Sequence, residues 1–370
     1  MAKKKQMTKP YKGWNLLVHG VTQSMLSRFF IDEERFHIRN VKCLKEVNRK
    51  EAMDYGTIFH KLIEINSRLG KRYNKARVSI YMNKWVLSRF GEEAVLLAKI
   101  AIAEFEEYRK WESTLPIHEY VDQEVKFCEN FELPPINFSA DNENISVRVP
   151  KGIVIPLRGR IDELIMLDGK LWLQENKTKS KIDLDGIIKT IHRNIQVMFY
   201  ATCIELKYGV PCAGVIYNVI RKPGQIQRTG RRNKAGVYVG GESDLQYINR
   251  IVSEIRKDTG YYFTRLRYEF PNGTLQQWQR RTLIPYLYKI YLWWRSWEKN
   301  PINPWEDTQG NINPFHAERP FGIYDPFSNG VGEYFNYLTT GSKIGLEENS
   351  ELFPELEDEN DEELDKLVGA

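Results

Sequence analysis

The chain has 370 residues, 42% apolar, 28% charged and 12% aromatic, a composition that excludes wholesale disorder, a collagen-like chain and a disulfide-dense scaffold. Its length allows roughly two domains and a real core without covalent staples. The net charge of +5 hides an asymmetry: residues 347–370 hold eleven carboxylates and one lysine, which leaves 53 Lys+Arg against 38 Asp+Glu in the rest. A basic body with an acidic tail points to a polyanionic partner.

Residues 1–20 are a basic arm with no apolar segment of the signal-peptide kind. Thr22 or Ser24 is placed to cap a short helix running to Phe36. Residues 51–69 read as a helix, with Ile58, Leu62 and Ile65 at helical spacing. Two more helices fit 75–113. The period then shortens: 118–128 and 145–156 read as strands, 157–178 as a hairpin, 185–207 as a helix and 213–220 as a buried strand. Residues 243–258 and 274–298 are again helical, with a strand between them at 261–270, and 346–370 carry too much charge to pack. The pattern predicts an α/β fold with a small mixed central sheet flanked by helices, too poor in strands for a doubly wound sheet. The expected division is an arm at 1–20, a domain at 21–345 (helical 21–115, core 116–222, helical and aromatic 243–345) and a disordered acidic tail at 346–370.

No run reaches the roughly 18 apolar residues of a membrane helix; Lys99 and Lys289 interrupt the longest candidates. Cys43, Cys128, Cys203 and Cys212 form no C-x-x-C pair, so neither a disulfide frame nor a zinc site is expected. The expectation is a reduced, cytoplasmic protein.

The segment Gly159–Ser180, GRIDELIMLDGKLWLQENKTKS, carries the chemistry. Asp168-Gly169 between apolar runs predicts a two-residue hairpin turn, which places Leu167 opposite Lys170, Asp162 opposite Glu175 and Arg160 opposite Lys177. Asp162, Glu175 and Lys177 then share a face. Two carboxylates at about 5 Å repel by roughly 3 kcal/mol at an effective dielectric of 20. A divalent cation between them reverses that sign, and oxygen ligands suit Mg²⁺ or Mn²⁺. Lys177 could orient a water or stabilise developing negative charge, as in metal-assisted phosphodiester hydrolysis. The competing reading is a solvated face of a surface hairpin, which the apolar flanks (Ile161, Leu164, Ile165, Leu171, Trp172, Leu173) argue against.

Gly159-Arg-Ile-Asp162, followed by Glu175-Asn-Lys-Thr178, resembles the core pattern of the PD-(D/E)XK nuclease superfamily, with Ile161 where the name-giving proline would stand. Three further stretches resemble its RecB-like, phage-type exonuclease branch: Ser24–Phe29 followed by Arg35-Phe36, Tyr55–His60, and Gln196–Tyr200. The matches run in the expected order. The resemblance implies a restriction-endonuclease-like core and a Mg²⁺- or Mn²⁺-dependent deoxyribonuclease, an exonuclease of phage or bacterial replication, recombination or repair. It implies Asp162, Glu175 and Lys177 as catalytic residues. His60, Asp162, Glu175 and the main-chain carbonyl of Asn176 would be metal ligands. Gln196 and Tyr200, four apart on one helix, would contact the DNA backbone or support the site. Without the resemblance, His60 reads as an ordinary helix histidine, and Glu124 is at most an outer support.

Many RecB-like relatives hold an iron–sulfur cluster. Here the position of its first cysteine is Asp32, and no cysteine follows Cys212, so no cluster is expected. The aromatic residues Trp305, Phe315, Phe321, Tyr324 and Phe327 are expected to staple the C-terminal lobe to the first helix instead. Residues 221–234 hold six basic residues and no acid. Arg221, Lys222, Arg228, Arg231, Arg232 and Lys234, with Lys179, are candidate phosphate contacts. Trp278, Trp293, Trp294 and Trp297 read mainly as a core stripe. The acidic tail could mimic DNA in the basic groove or recruit a recombinase or single-strand-binding protein, and its deletion is expected to leave the fold intact. Two other functions remain open: a DNA-binding or assembly module with a relict nuclease fold, and a hydrolase using Asp162 and Glu175 as an acid/base pair.

Overall fold

The computed structural model describes residues 14–31, 33–47, 51–116, 119–139, 146–232, 234, 238–299, 341–348, 352–353, 356 and 362–369. In chain order the first elements are α1 (Leu16–His19), β1 (Val21–Thr22), α2 (Gln23–Ile31), α3 (Glu33–Phe36), β2 (Leu44–Glu46), α4 (Glu51–Leu69), α5 (Lys75–Phe90) and α6 (Val95–Glu112). The sheet region follows as β3 (Glu119–Leu133), β4 (Ile136–Ser139), β5 (Ser146–Val149), β6 (Ile153–Leu167), β7 (Lys170–Lys179), α7 (Leu184–Thr190), α8 (Ile195–Tyr208) and β8 (Gly214–Arg221). The rest comprises β9 (Arg231–Arg232), β10 (Tyr238–Val239), α9 (Asp244–Lys257), α10 (Thr259–Tyr262), β11 (Phe263–Glu269), α11 (Thr274–Trp278), α12 (Ile284–Lys299), β12 (Leu346–Glu348) and α13 (Glu362–Gly369).

Six strands form one mixed sheet in the order β1-β6-β7-β8-β11, with β3 also paired to β6. β1 runs parallel to β6, and β7 and β8 run parallel, joined by the α7–α8 crossover, whereas β3 and β7 pair antiparallel with β6 and β11 antiparallel with β8. This is a restriction-endonuclease-like α/β fold with added helices. Apolar residues of α2, α8 and α12 make one core with the sheet, and those of α4, α5, α6 and α9 make a second. The division 21–115, 116–222 and 243–345 therefore does not separate independent cores, because α4 and α6 share theirs with α9, Ile220 and Phe263.

Local signals explain most boundaries. Thr22 Oγ1 accepts from Met25 N at the head of α2, 3.3 Å. Asp168 and Gly169 both have positive φ, 52° and 70°, which a two-residue hairpin of type I′ requires. The stretch expected as one helix at 185–207 is two, α7 and α8, divided where the Asn194 side chain accepts from Val197 N and caps the second. Trp278, Trp293 and Trp294 are buried core residues, as their spacing predicts. The aromatic segment 305–327 lies outside the described residues. Within them α12 ties the body to the first helices, with Trp293 edge-on to Phe29 and Phe36, Trp297 stacked on His37, and Lys289 2.6 Å from Glu33.

The C-terminal segment departs from expectation. Where charge composition predicts disorder throughout 346–370, β12 pairs antiparallel with β2, and α13 packs on α4 and α5 with Leu364 buried. Leu364, Leu367 and Val368 recur at helical spacing and join the second core. A narrow apolar stripe is enough to dock a helix whose other face is acidic.

Candidate active site

The site forms where β6 and β7 part. Their ladder runs in the predicted register from Leu167–Lys170 to Glu163–Gln174 and stops there. Asp162–Glu175 and Arg160–Lys177 are therefore not ladder partners, contrary to the register extended from the turn. Beyond the last pair, Asn176 N–H donates to Asp162 Oδ2 at 3.0 Å. A carboxylate thus bridges the gap that the separating main chains leave.

Glu175 lies at the bottom of this gap with no exposed surface. Lys177 Nζ and Gln196 Nε2 both reach its Oε2, each at 2.9 Å. Its Oε1 is buried without a hydrogen-bond partner. Burial pushes the Glu175 carboxyl up from the usual carboxylate range; the Lys177 ammonium opposes that shift and the nearby Asp162 charge adds to it. Lys177 is pushed up by Glu175 and Asp162 despite partial burial, so its ammonium stays charged.

Helix α4 delivers His60 from the other side of the sheet. Its Nδ1 stands 3.7 Å from Asp162 Oδ2. Burial lowers the His60 pKa, which favours the neutral imidazole a ligand must present. The close approach of α4 to β7 depends on Gly56, since a Cβ there would lie 2.9 Å from Thr178 Oγ1.

A buried polar chain supports the back of β7. Asn218 Nδ2 donates to Asn176 Oδ1 at 2.8 Å, Arg265 Nε donates to Asn218 Oδ1 at 2.7 Å, and Arg265 reaches Glu112 at 3.2 Å. Next to it Gln174 donates to Glu163, whose other oxygen accepts from Ser67 at 3.3 Å. Neither group of residues follows from local sequence. The only hint is polar residues inside otherwise apolar strands, Asn218 in GVIYNVIR and Glu163 in IDELI.

The remaining predicted residues divide. Gln196 binds Glu175 rather than facing solvent, so it supports the site. Tyr200, expected with it to contact the DNA backbone or support the site, is 7% exposed and packs in the core against Phe127, beneath Gly159. One helical turn carries it from the gap to the underside of β6. Lys179 is exposed and pairs in register with Arg221, whose guanidinium lies 3.9 Å from the Tyr261 ring centroid. Lys222 Nζ lies 5.3 Å from the Tyr55 ring centroid, and Arg228 and Lys234 are exposed. The side chains of Arg231 and Arg232 lie outside the described residues; their main chain forms β9 with β10 as partner. The basic stretch has an acid within reach: Glu242 accepts from Arg228 N at 3.1 Å and from Arg250 at 2.8 Å. Glu124 pairs with Arg160 at 2.8 Å on the flank of Asp162.

The donors fit a divalent cation. They are carboxylates, an imidazole and a peptide carbonyl, and one buried carboxylate oxygen has no other partner. Among the described residues no three His, Cys, Asp or Glu side chains already converge on one point.

The family model of the PD-(D/E)XK nuclease superfamily matches residues 22–279, well over half of the chain. The chain belongs to the PD-(D/E)XK nuclease superfamily. In sequence, no curated protein matches it. Nucleases of this superfamily generally use divalent metals such as Mg²⁺, and the family implies DNA as substrate. The match spans every element that builds the PD-(D/E)XK centre here, from α2 through α4 and the hairpin to α8 and β11. Among the described residues no helix is long and apolar enough to cross a membrane.

Proposed function

We propose that the protein is a Mg²⁺- or Mn²⁺-dependent deoxyribonuclease, an exonuclease that hydrolyses DNA phosphodiesters in phage or bacterial replication, recombination or repair. The observation that carries this reading is Glu175: a fully buried carboxylate beside Asp162, with one oxygen held by Lys177 and Gln196 and the other bare. Stability alone disfavours such a group, because a buried carboxylate oxygen left without a hydrogen-bond partner is costly. A cation-binding role accounts for it.

Asp162, Glu175, His60 and the Asn176 carbonyl would hold the metal, which when bound polarises the phosphate and acidifies a water. Asn176 N–H fixes Asp162 and leaves its other oxygen available. Gln196 and Lys177 hold Glu175 Oε2 and leave Oε1 without a hydrogen-bond partner. Lys177 keeps its proton, so it orients the attacking water and stabilises negative charge developing on the phosphoryl oxygens instead of acting as a base. Lys179, Arg221, Lys222, Arg228, Arg231, Arg232 and Lys234 would bind the DNA backbone. This reading carries no iron–sulfur cluster, since no cysteine follows Cys212. The acidic tail would serve as a docking segment for a recombinase or single-strand-binding protein.

The test is cleavage of end-labelled linear and closed circular DNA, single- and double-stranded, with Mg²⁺, Mn²⁺ or EDTA. Metal-dependent loss of linear substrates alone, abolished in Asp162→Ala and Lys177→Ala, is the expected result. Cleavage of circles makes the enzyme an endonuclease. Activity surviving EDTA or both substitutions rejects the site, and binding without cleavage favours a DNA-binding module.

A further inference from the structure

On the flank of Asp162 opposite β7, β3 keeps one register with β6 across Glu124, pairing Gln123 with Glu163 and Val125 with Ile161, and the nearest register shift lies between Tyr120 and Asp122. Glu124 therefore stands across from Asp162. Its φ is 49°, inside a strand and on a residue with a full side chain. That conformation costs about 1 kcal/mol or more. No residue is inserted at this point, so the strain does not absorb a register shift. It accompanies the contact of Glu124 Oε2 with Arg160 Nε, 2.8 Å.

The ion pair does not explain the strain by stability. Arg160 is 41% exposed, and ion pairs so open to water contribute about 0–1 kcal/mol. What the contact does is orient. Glu124 takes the Nε edge of the guanidinium, and among the described residues no other hydrogen-bond partner holds its two terminal amino groups. By strand alternation Arg160 projects from the same face as Asp162, two residues and about 7 Å away. That distance is comparable with the step between successive phosphates of a nucleic-acid strand. The guanidinium is close enough to His60 to perturb it electrostatically.

We infer that Arg160 binds the DNA phosphate next to the one at Asp162 and Glu175, and that Glu124 is the positioning residue that presents it. A guanidinium held along one edge offers a forked pair of N–H donors to phosphate oxygens. This places a phosphate subsite on the β3 side of the centre, across from Lys179 and the basic segment. The inference rests on the nuclease reading for its substrate class, but its test needs no cleavage.

The experiment measures binding of a fluorescein-labelled DNA oligonucleotide in EDTA across a NaCl series, for the wild type, Arg160→Ala, Arg160→Lys and Glu124→Gln. Arg160→Ala is expected to weaken binding about tenfold and to lower the slope of log K against log salt by about one contact. Arg160→Lys should restore the slope and only part of the affinity. Glu124→Gln is decisive. It removes a negative charge near the DNA, so charge alone predicts tighter binding, whereas loss of positioning predicts weaker binding. In cleavage assays the same variants should raise KM by a larger factor than they lower kcat. Unchanged affinity and slope in Arg160→Ala, or tighter binding in Glu124→Gln, overturns the inference. A wild type that binds DNA without cleaving it fails the nuclease reading while these comparisons still stand. A wild type that cleaves, with variants that bind as it does, fails this inference alone.

Discussion

Lys177 and Gln196 converge on a single oxygen of Glu175, each at 2.9 Å, from opposite ends of the connection that holds α7. One donor is charged and comes from the same strand; the other is neutral and comes from α8. Together they hold Oε2 and leave Oε1 without a hydrogen-bond partner. Gln196→Leu should leave Glu175 free to rotate. Groups that orient a metal ligand are typically worth 10–100-fold in metal affinity or activity. The expected outcome is a rise of that order in the Mn²⁺ concentration needed for half-maximal cleavage, checked by Mn²⁺ titration calorimetry. Unchanged Mn²⁺ affinity would show that Lys177 suffices.

Glu163 gives a pH signature that belongs to the fold. Burial, then the nearby Glu112 and Asp162 charges, raise it to about 8, well above its ordinary 4.5. A raised carboxyl favours the folded state most below its unfolded pKa, and that contribution is lost as pH climbs from about 4.5 to about 8. Gln174 Oε1 is buried without a partner, and a proton on Glu163 would supply the missing donor. Glu163→Gln keeps the shape and cannot ionise. Its melting temperature relative to the wild type should rise between pH 5 and pH 8.5. A difference that stays constant with pH would refute the shift.

Gly56 and Thr178 form a testable steric pair. Gly56→Ala places a methyl 2.9 Å from Thr178 Oγ1, so α4 must retreat or the threonine must move. His60 sits on that helix, one turn further on. Gly56→Ala should lower activity more than stability, and Thr178→Ala should partly rescue it. A double-mutant cycle with no coupling between the two would show that the contact relaxes freely.

Leu364 tests the docking of α13. It is 1% exposed against α4 and α5. Leu364→Ala should cost about 2 kcal/mol, the low end for a buried leucine, because the site lies at the rim of the core. Chemical denaturation reads it out. A neutral effect would return residues 362–369 to the role of a solubilising tail.

The sequence made legible what is local. Asp168-Gly169 set the turn, and with it the register that runs to Glu163–Gln174, one step short of Asp162 and Glu175. His60 and Gln196 lay within recognisable spacings. What stayed hidden depends on contacts distant in the chain. Asn218, Arg265 and Glu112 meet only once β8 is placed between β7 and β11 and α6 is laid over the sheet. The four-residue spacing of Gln196 and Tyr200 predicted one shared face, but Tyr200 packs against Phe127 beneath Gly159 and is buried there. In the tail, overall charge outweighed a three-residue apolar stripe.

The two acidic groups lie thirteen positions apart on one hairpin, while His60 and Gln196 reach them from helices far along the chain in either direction. Hairpins close in microseconds, and contacts of long sequence separation form later. During folding the carboxylate pair would therefore be assembled first, as a mutually repelling couple with neither the imidazole nor the amide in place. A divalent cation in solution would meet a half-built centre before it met a finished one.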